Sequence, residues 1–161
     1  MTLFDRNNDC LFCSVEPNLI ILQNNLAFAM FDGFPVSQGH SLIIPRRHVA
    51  DYSDLTANEI LAIHQILAEV RSLIQKRFSP DSFNVGVNIG FTAGQTIMHV
   101  HVHLIPRYKG DVSDPVGGVR NVIPGKGNYL HPAMEAGLIE YTIPDKSSSQ
   151  LHEKQIDEDS A

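Results

Sequence analysis

Between Gln95 and Arg107 the chain reads Gln-Thr-Ile-Met-His-Val-His-Val-His-Leu-Ile-Pro-Arg, with histidine at 99, 101 and 103 and an apolar residue between neighbours. Side chains on a β-strand alternate faces with period two. Read as a strand, the segment puts His99, His101 and His103 on one face. Met98, Val100, Val102 and Leu104 fall on the other, which reads as core. Successive imidazoles then lie about 6.6 Å apart along the strand. A helix would scatter them. A merely polar outer face would be served by Thr, Lys or Glu, so three histidines in register point to chemistry.

The chain of 161 residues suggests one domain. With 43% hydrophobic and 19% charged residues it can support a real core. A formal net charge of -6 argues against a general nucleic-acid binder, so an anionic ligand must be held locally. No apolar run approaches the roughly 18 residues of a membrane span, and Met1 to Asn8 has no signal-like segment. The expected compartment is the cytoplasm, with no membrane partner.

Cys10 and Cys13, spaced C-x-x-C, are the only cysteines. In a reducing cytosol such a pair reads as a metal or redox pair rather than a structural disulfide. A redox pair expects a preceding strand, and nothing before Cys10 reads as one. Two cysteines do not complete a tetrahedral zinc site. Two of the eight histidines would be needed.

Taken in order, Met1 to Asn18 reads as an irregular arm. Leu19–Leu22 and Leu26–Phe31 read as strands joined by the turn Gln23-Asn24-Asn25. Gly33 and Pro35 end the second, and His40–Pro45 reads as a third, with Arg46-Arg47-His48 as a basic exit loop. Thr56-Ala57-Asn58-Glu59 has capping-box form. Ile60, Ile63, Leu67, Val70 and Ile74 then make one apolar helical stripe, which Pro80 ends. His64 beside the stripe reads as packing or surface. Phe83–Ile89 reads as a fourth strand, antiparallel to the histidine strand that follows. After Tyr108 glycine and proline break every long period. The expected division is a domain over 1–110 and an irregular extension over 111–161. Ser147 to Ala161 reads as a disordered tail. His131 and His152, in the extension, are assigned no role. The expected architecture is α+β: about five antiparallel strands with one main helix on one face, leaving the other face for a ligand.

Several groups converge in principle. The turn Gly94-Gln95-Thr96 offers backbone amides and a hydroxyl just before the histidines, and amides in such a turn line anion sites. An imidazole can attack phosphorus and form a covalent phosphoramidate, splitting one displacement into two. Three histidines and two cysteines exceed the four ligands of structural zinc, so some histidines remain for other work.

The motif His99-Val100-His101-Val102-His103-Leu104 resembles the defining motif of the histidine-triad (HIT) superfamily of nucleotide hydrolases and transferases. Ala93-Gly94-Gln95-Thr96 and Gly39-His40 followed by Leu42-Ile43-Ile44-Pro45 resemble that family too, over roughly residues 10 to 108. The resemblance implies a homodimer in which each subunit contributes a half-barrel sheet with helices. It implies that His101 is the nucleophile on the α-phosphate of a nucleotide derivative, and that water then releases a nucleoside monophosphate. His103, Gly94, Gln95 and Thr96 would contact the phosphates. Asn88 would contact phosphate or ribose, Asp32 the ribose hydroxyls, and His40 would orient the site from beneath. The zinc-containing branch implies a structural zinc on Cys10, Cys13, His48 and His99.

His103, where the uridylyltransferase branch has Gln, implies a hydrolase. Pro106 to Asp111 resembles the dinucleoside-polyphosphate hydrolase branch, although that branch generally lacks the C-x-x-C. Arg46, Arg47, Arg107 and Lys109 are candidate local cations, each also readable as an ordinary surface charge. The leading expectation is hydrolysis of a dinucleoside polyphosphate. The alternatives are a nucleoside phosphoramidate hydrolase, a nucleotide-binding signalling module with slow turnover, and a zinc-stabilised interaction protein.

Overall fold

The computed structural model describes residues 10–124 and 127. The chain groups into two compact units, Met1–Asp111 and Val112–Ala161. In the second, a short 3₁₀ turn spans Gly118–Val122. His131, His152, the tail from Ser147 and Met1 to Asn8 lie outside the described residues. Among the described residues no helix is long and apolar enough to cross a membrane.

The first unit is a five-stranded antiparallel sheet crossed by one helix. Its strands are β1 (Ile20–Gln23), β2 (Ala27–Phe31), β3 (Ser41–Pro45), β4 (Ser82–Val87) and β5 (Val102–Arg107), and its helix is α1 (Ala57–Phe78). The sheet order is β1-β2-β3-β5-β4. Asn24 makes the first hairpin: its side-chain oxygen accepts the Leu26 and Ala27 N–H groups at 2.9 and 2.8 Å. Pro45 fits β3 because β5 pairs only with residues 41 to 43, so no donor is needed from it on that side.

β5 is shorter than the alternation suggests. The ladder begins at Val102, opposite Ile43 and Val87. Before it the chain bends, with the His99 N–H donated to Ile97 O at 2.8 Å and the Val100 N–H to Val49 O at 2.7 Å. Val100, Val102 and Leu104 are buried as the alternation requires, but Met98 is exposed. The period-two pattern holds only where the backbone is paired.

The helix stripe is also rotated from the expected one. Ile63, Ile66, Val70 and Ile74 face the sheet, while Ile60 is exposed. The inward place in the first turn belongs to Glu59. This carboxylate is 5% exposed. It accepts two hydrogen bonds from Arg47, both at 2.8 Å, and the N–H and hydroxyl of Thr56, each at 2.9 Å. The expected capping box is therefore present, with Arg47 added. It ties the loop after β3 to the start of α1.

The Arg47 hydrogen bonds, with help from Thr56, hold the Glu59 carboxyl down at about 2. A folded value below the ordinary one gives stability that is complete above pH 4.5 and is lost as pH falls towards 2. Arg47 is partly exposed, so the network is discounted to about 2 kcal/mol. We expect Glu59→Gln to lower the urea-unfolding free energy by that amount at pH 7. Its difference from the parent should shrink at pH 3. An equal difference at both pH values would refute the ionic account.

Two apolar clusters flank the sheet. The larger joins Ala27, Ala29, Ile43 and Leu104 to Ile63, Ile66, Val70 and Ile74 of α1. The smaller, on alternate strand positions, contains Phe12, Phe28, Leu42 and Ile44, with Cys10, Val15, Ile20, Met30 and Ile97 packed against it. The face opposite the helix is thus partly covered by the arm that carries the cysteines, rather than left wholly to a ligand. Coverage on both faces explains why β3 is buried along its whole length.

Candidate active site and metal centre

The three histidines occupy different environments. His99 is fully buried, His101 nearly so, and His103 half-buried. His99 donates from Nε2 to Pro45 O at 2.9 Å. Its Nδ1 therefore carries the lone pair, and that atom lies 3.5 Å from Cys10 Sγ and 3.6 Å from Cys13 Sγ. His48 Nδ1 lies 3.3 Å from Cys13 Sγ. The four ligand atoms of Cys10, Cys13, His48 and His99 all lie within 4.8 Å of one another, and no disulfide joins the cysteines.

This donor set fits zinc. Tetrahedral bonds of ordinary length put ligand atoms roughly 3.4–3.8 Å apart, close to the sulfur–nitrogen separations here. The Pro45 carbonyl fixes the His99 tautomer that a metal requires. Burial is the main cause that pushes His99 down to about 4, which keeps it neutral as a ligand must be. The turn holding the cysteines is closed by the Cys13 N–H donating to Cys10 O at 3.0 Å.

His101 is oriented by the backbone. Its Nδ1–H donates to His99 O at 2.8 Å, so Nε2 carries the free lone pair. Phe12, from inside the C-x-x-C, meets the His101 ring edge-on, with centroids 5.1 Å apart and planes at 62°. The His103 ring lies 5.1 Å away on its other side in sequence, at 71°.

His103 belongs to a second group, with Asp32 and His40. β3 and β5 bring it together: Leu42 pairs with His103, two residues after His40. The Val36 N–H donates to His40 Nδ1 at 3.3 Å, so the His40 proton sits on Nε2 and is donated to His103 Nδ1 at 3.0 Å. The remaining His103 proton is then on Nε2. That atom is buried and has no partner among the described residues. Burial, then the neighbouring His101 and His40, push His103 down to about 4, opposed by Asp32. Burial also lowers His40. Both are neutral at physiological pH, and the relay ends in one N–H donor. Asp32 Oδ1 accepts the Phe34 N–H at 2.8 Å, while Oδ2 lies 3.5 Å from His40 Nδ1 and 4.0 Å from His103 Nδ1.

The loop before the triad is arranged differently from a simple row of free amides. A 3₁₀ turn spans Phe91–Ala93, and Gly94 takes φ 90°, which a side chain would strain. Asn88 lies beside Gly94. The Gly94 N–H is donated to Phe91 O and the Gln95 N–H to Gly90 O. The Gln95 side chain is buried: its oxygen accepts the Gly90 N–H at 2.7 Å and its nitrogen donates to Ala50 O at 2.8 Å. Gln95 thus braces the loop against the segment after His48. Thr96 is exposed.

Three of the four candidate cations are engaged elsewhere. Arg47 is paired with Glu59 and Arg107 with Asp111, and Arg46 bonds Asn24 O and Gln23. Phe12 and the loop-bracing use of Gln95 were not legible in the spacing of the motif. The apolar residue inside the C-x-x-C was the available signal for Phe12.

A family model described as HIT domain matches residues 14–110. A second, described as the Filamentation induced by cAMP protein Fic-like, C-terminal domain, matches residues 126–154, which apart from Gly127 lie outside the described residues. An uncharacterized 16.1 kDa HIT-like protein of Mycoplasma pneumoniae is 38% identical over 107 residues, covering 64% of this chain and 74% of that protein. The asymmetrical bis(5'-nucleosyl)-tetraphosphatase of Schizosaccharomyces pombe is 39% identical over 95 residues; the match covers 59% of this chain and about half, 52%, of that enzyme. Among solved structures, a zinc-bound histidine triad family protein from Mycobacterium smegmatis superposes with a TM-score of 0.59 at 27% identity, covering 64% of this chain and 78% of that one.

Proposed function

This chain belongs to the HIT domain family, and from that premise we propose that it is a nucleotide hydrolase acting at the α-phosphate of a dinucleoside polyphosphate. The observation that carries the reading is the His101 tautomer. The 2.8 Å bond to the His99 carbonyl leaves Nε2 as a free nucleophile. Nε2 attacks the α-phosphorus, an Nε2–P bond forms, and the P–O bond to the remaining phosphates breaks with its electron pair on that oxygen. Water then attacks the same phosphorus and loses a proton to solvent, the Nε2–P bond breaks with its electron pair returning to Nε2, and a nucleoside monophosphate leaves. Each step needs charge stabilisation at the phosphoryl oxygens, and the His103 Nε2–H is the donor the relay presents for it.

Around this core, Asp32 is assigned to the ribose hydroxyls, and Asn88, Gly94 and Thr96 to the phosphates. His40 sets the His103 tautomer. Gln95 supports the loop through its own side chain, and its contact with nucleotide would require those bonds to exchange. Zinc on Cys10, Cys13, His48 and His99 would be structural, because four protein ligands leave no open position. The resemblance also implies a homodimer, and the sheet's terminal strands, β1 and β4 among the described residues, offer edges for it. Sedimentation at twice the chain mass would agree, and a monomer would refute it.

The substrate assignment leans on the tetraphosphatase relative. Its test is product analysis with diadenosine tri- and tetraphosphate and adenosine phosphoramidate. We expect AMP from the dinucleotides. Release from the phosphoramidate alone would move the substrate class. Tight binding with a turnover half-life of hours would favour a binding module instead.

A further inference from the structure

The aromatic ring inside the C-x-x-C links the metal centre to the nucleophile. Cys10 and Cys13 are at the two ends of a closed turn. Phe12, on that turn, is 5% exposed and packs into the cluster with Phe28, Leu42 and Ile44. Its ring contacts two imidazoles with different tasks. It meets His99, a metal-facing group, at 5.9 Å and 78°, and His101 at 5.1 Å and 62°.

One hydrogen bond at Nδ1 leaves the His101 imidazole a torsional freedom about that contact. χ2 of histidine is a broad torsion. T-shaped contacts with Phe12 and with His103 restrict that freedom. Edge-on aromatic contacts prefer this geometry and add modest energy to ordinary burial. The direction of Nε2 is therefore set by the His99 carbonyl together with two ring contacts, Phe12 at 5.1 Å and His103 at 5.1 Å. The carbonyl and Phe12 both belong to the candidate metal centre: His99 is one of its four donors, and Phe12 lies between two others in sequence.

We propose that Phe12 is a positioning residue that holds the His101 ring in its attack orientation, so that the closed C-x-x-C turn sets the nucleophile as well as the metal. The proposal rests on His101 being the nucleophile. It assigns the metal no part in the reaction itself.

The test uses full-length, zinc-loaded protein carrying Phe12→Leu, which keeps an apolar side chain, and Phe12→Tyr, which keeps the ring. Three quantities are read: zinc per chain, kcat and KM on diadenosine tetraphosphate, and the His101 Nδ1–H signal in imidazole nitrogen–proton NMR spectra. Phe12→Leu is expected to retain one zinc, to lower kcat about tenfold with KM within about twofold, and to broaden or lose the Nδ1–H signal. Phe12→Tyr should restore both. Unchanged kcat and an unchanged imidazole signal in Phe12→Leu would overturn the proposal. So would a loss of activity that tracks lost zinc and returns on adding zinc, since Phe12 would then serve the metal alone. If the parent protein turns over no nucleotide, the hydrolase reading falls, while the imidazole signal still decides whether Phe12 holds His101.

Discussion

His101→Ala is expected to lower kcat on a dinucleoside polyphosphate by about 10⁴-fold or more, with the fold intact. The size follows from the role. A nucleophile that forms the covalent intermediate has no substitute when removed, because neither neighbouring imidazole presents a free lone pair in its place. His99 has Nε2 bonded to Pro45 O and Nδ1 turned to the thiols. His103 receives the His40 proton at Nδ1. The substitution removes a nearly buried ring beside Phe12, so a stability loss of about 2–4 kcal/mol accompanies it. Circular dichroism separates the two effects. A folded variant that still turns over at a tenth of the parent rate would end the covalent-histidine mechanism.

Metal removal is the second large effect, and it acts on stability. The Cys10–Cys13 turn joins the sheet through Phe12 and through sulfur atoms facing two imidazoles. Zinc bound there would convert those approaches into four bonds between segments that are 35 to 89 residues apart. We expect the purified protein to hold one zinc per chain. We expect chelation, or Cys13→Ala, to reduce stability by several kcal/mol and the melting temperature by about 10 °C or more. Elemental analysis and thermal unfolding with and without chelator check it. Protein purified with zinc present that carries no metal, and melts unchanged with chelator, would refute the centre.

Much of this arrangement was readable from residues alone, for a reason that can be stated. The hairpin at Asn24, the capping box at Thr56 and the burial of Val100, Val102 and Leu104 depend on local chemistry and short periods, which a sequence displays directly. The convergence of Cys10, Cys13, His48 and His99 was reached through family likeness, and the geometry brings those four atoms together. The misses are long-range. Treating the histidines as equivalent strand positions hid that the ladder starts only at Val102, so that His99 lies deep in the bend before it. The inward turn of Glu59 was hidden because its partner, Arg47, is 12 residues away. Gln95 was expected at the phosphates, and its loop-bracing role beside that was not foreseen. That it spends both ends of the amide on Gly90 and Ala50 depends on a loop packing that no local pattern encodes.

The sheet order has a consequence for the sequence of folding events. β1, β2, β3 and α1 follow one another along the chain, and contacts among neighbours form before distant ones because their loops close at lower entropic cost. A chain folded that far already owns Cys10, Cys13 and His48. It lacks His99 until the last strand enters between β3 and β4. The same insertion delivers His101, and it sets His103 opposite Leu42, beside the waiting His40. The fourth candidate metal ligand and the proposed nucleophile would therefore arrive in one step, two residues apart. A chain stopped before β5 pairs would hold only three of the four candidate ligands and would lack His101 in place, so completion of the five-stranded sheet, full metal affinity and the proposed chemistry would begin together.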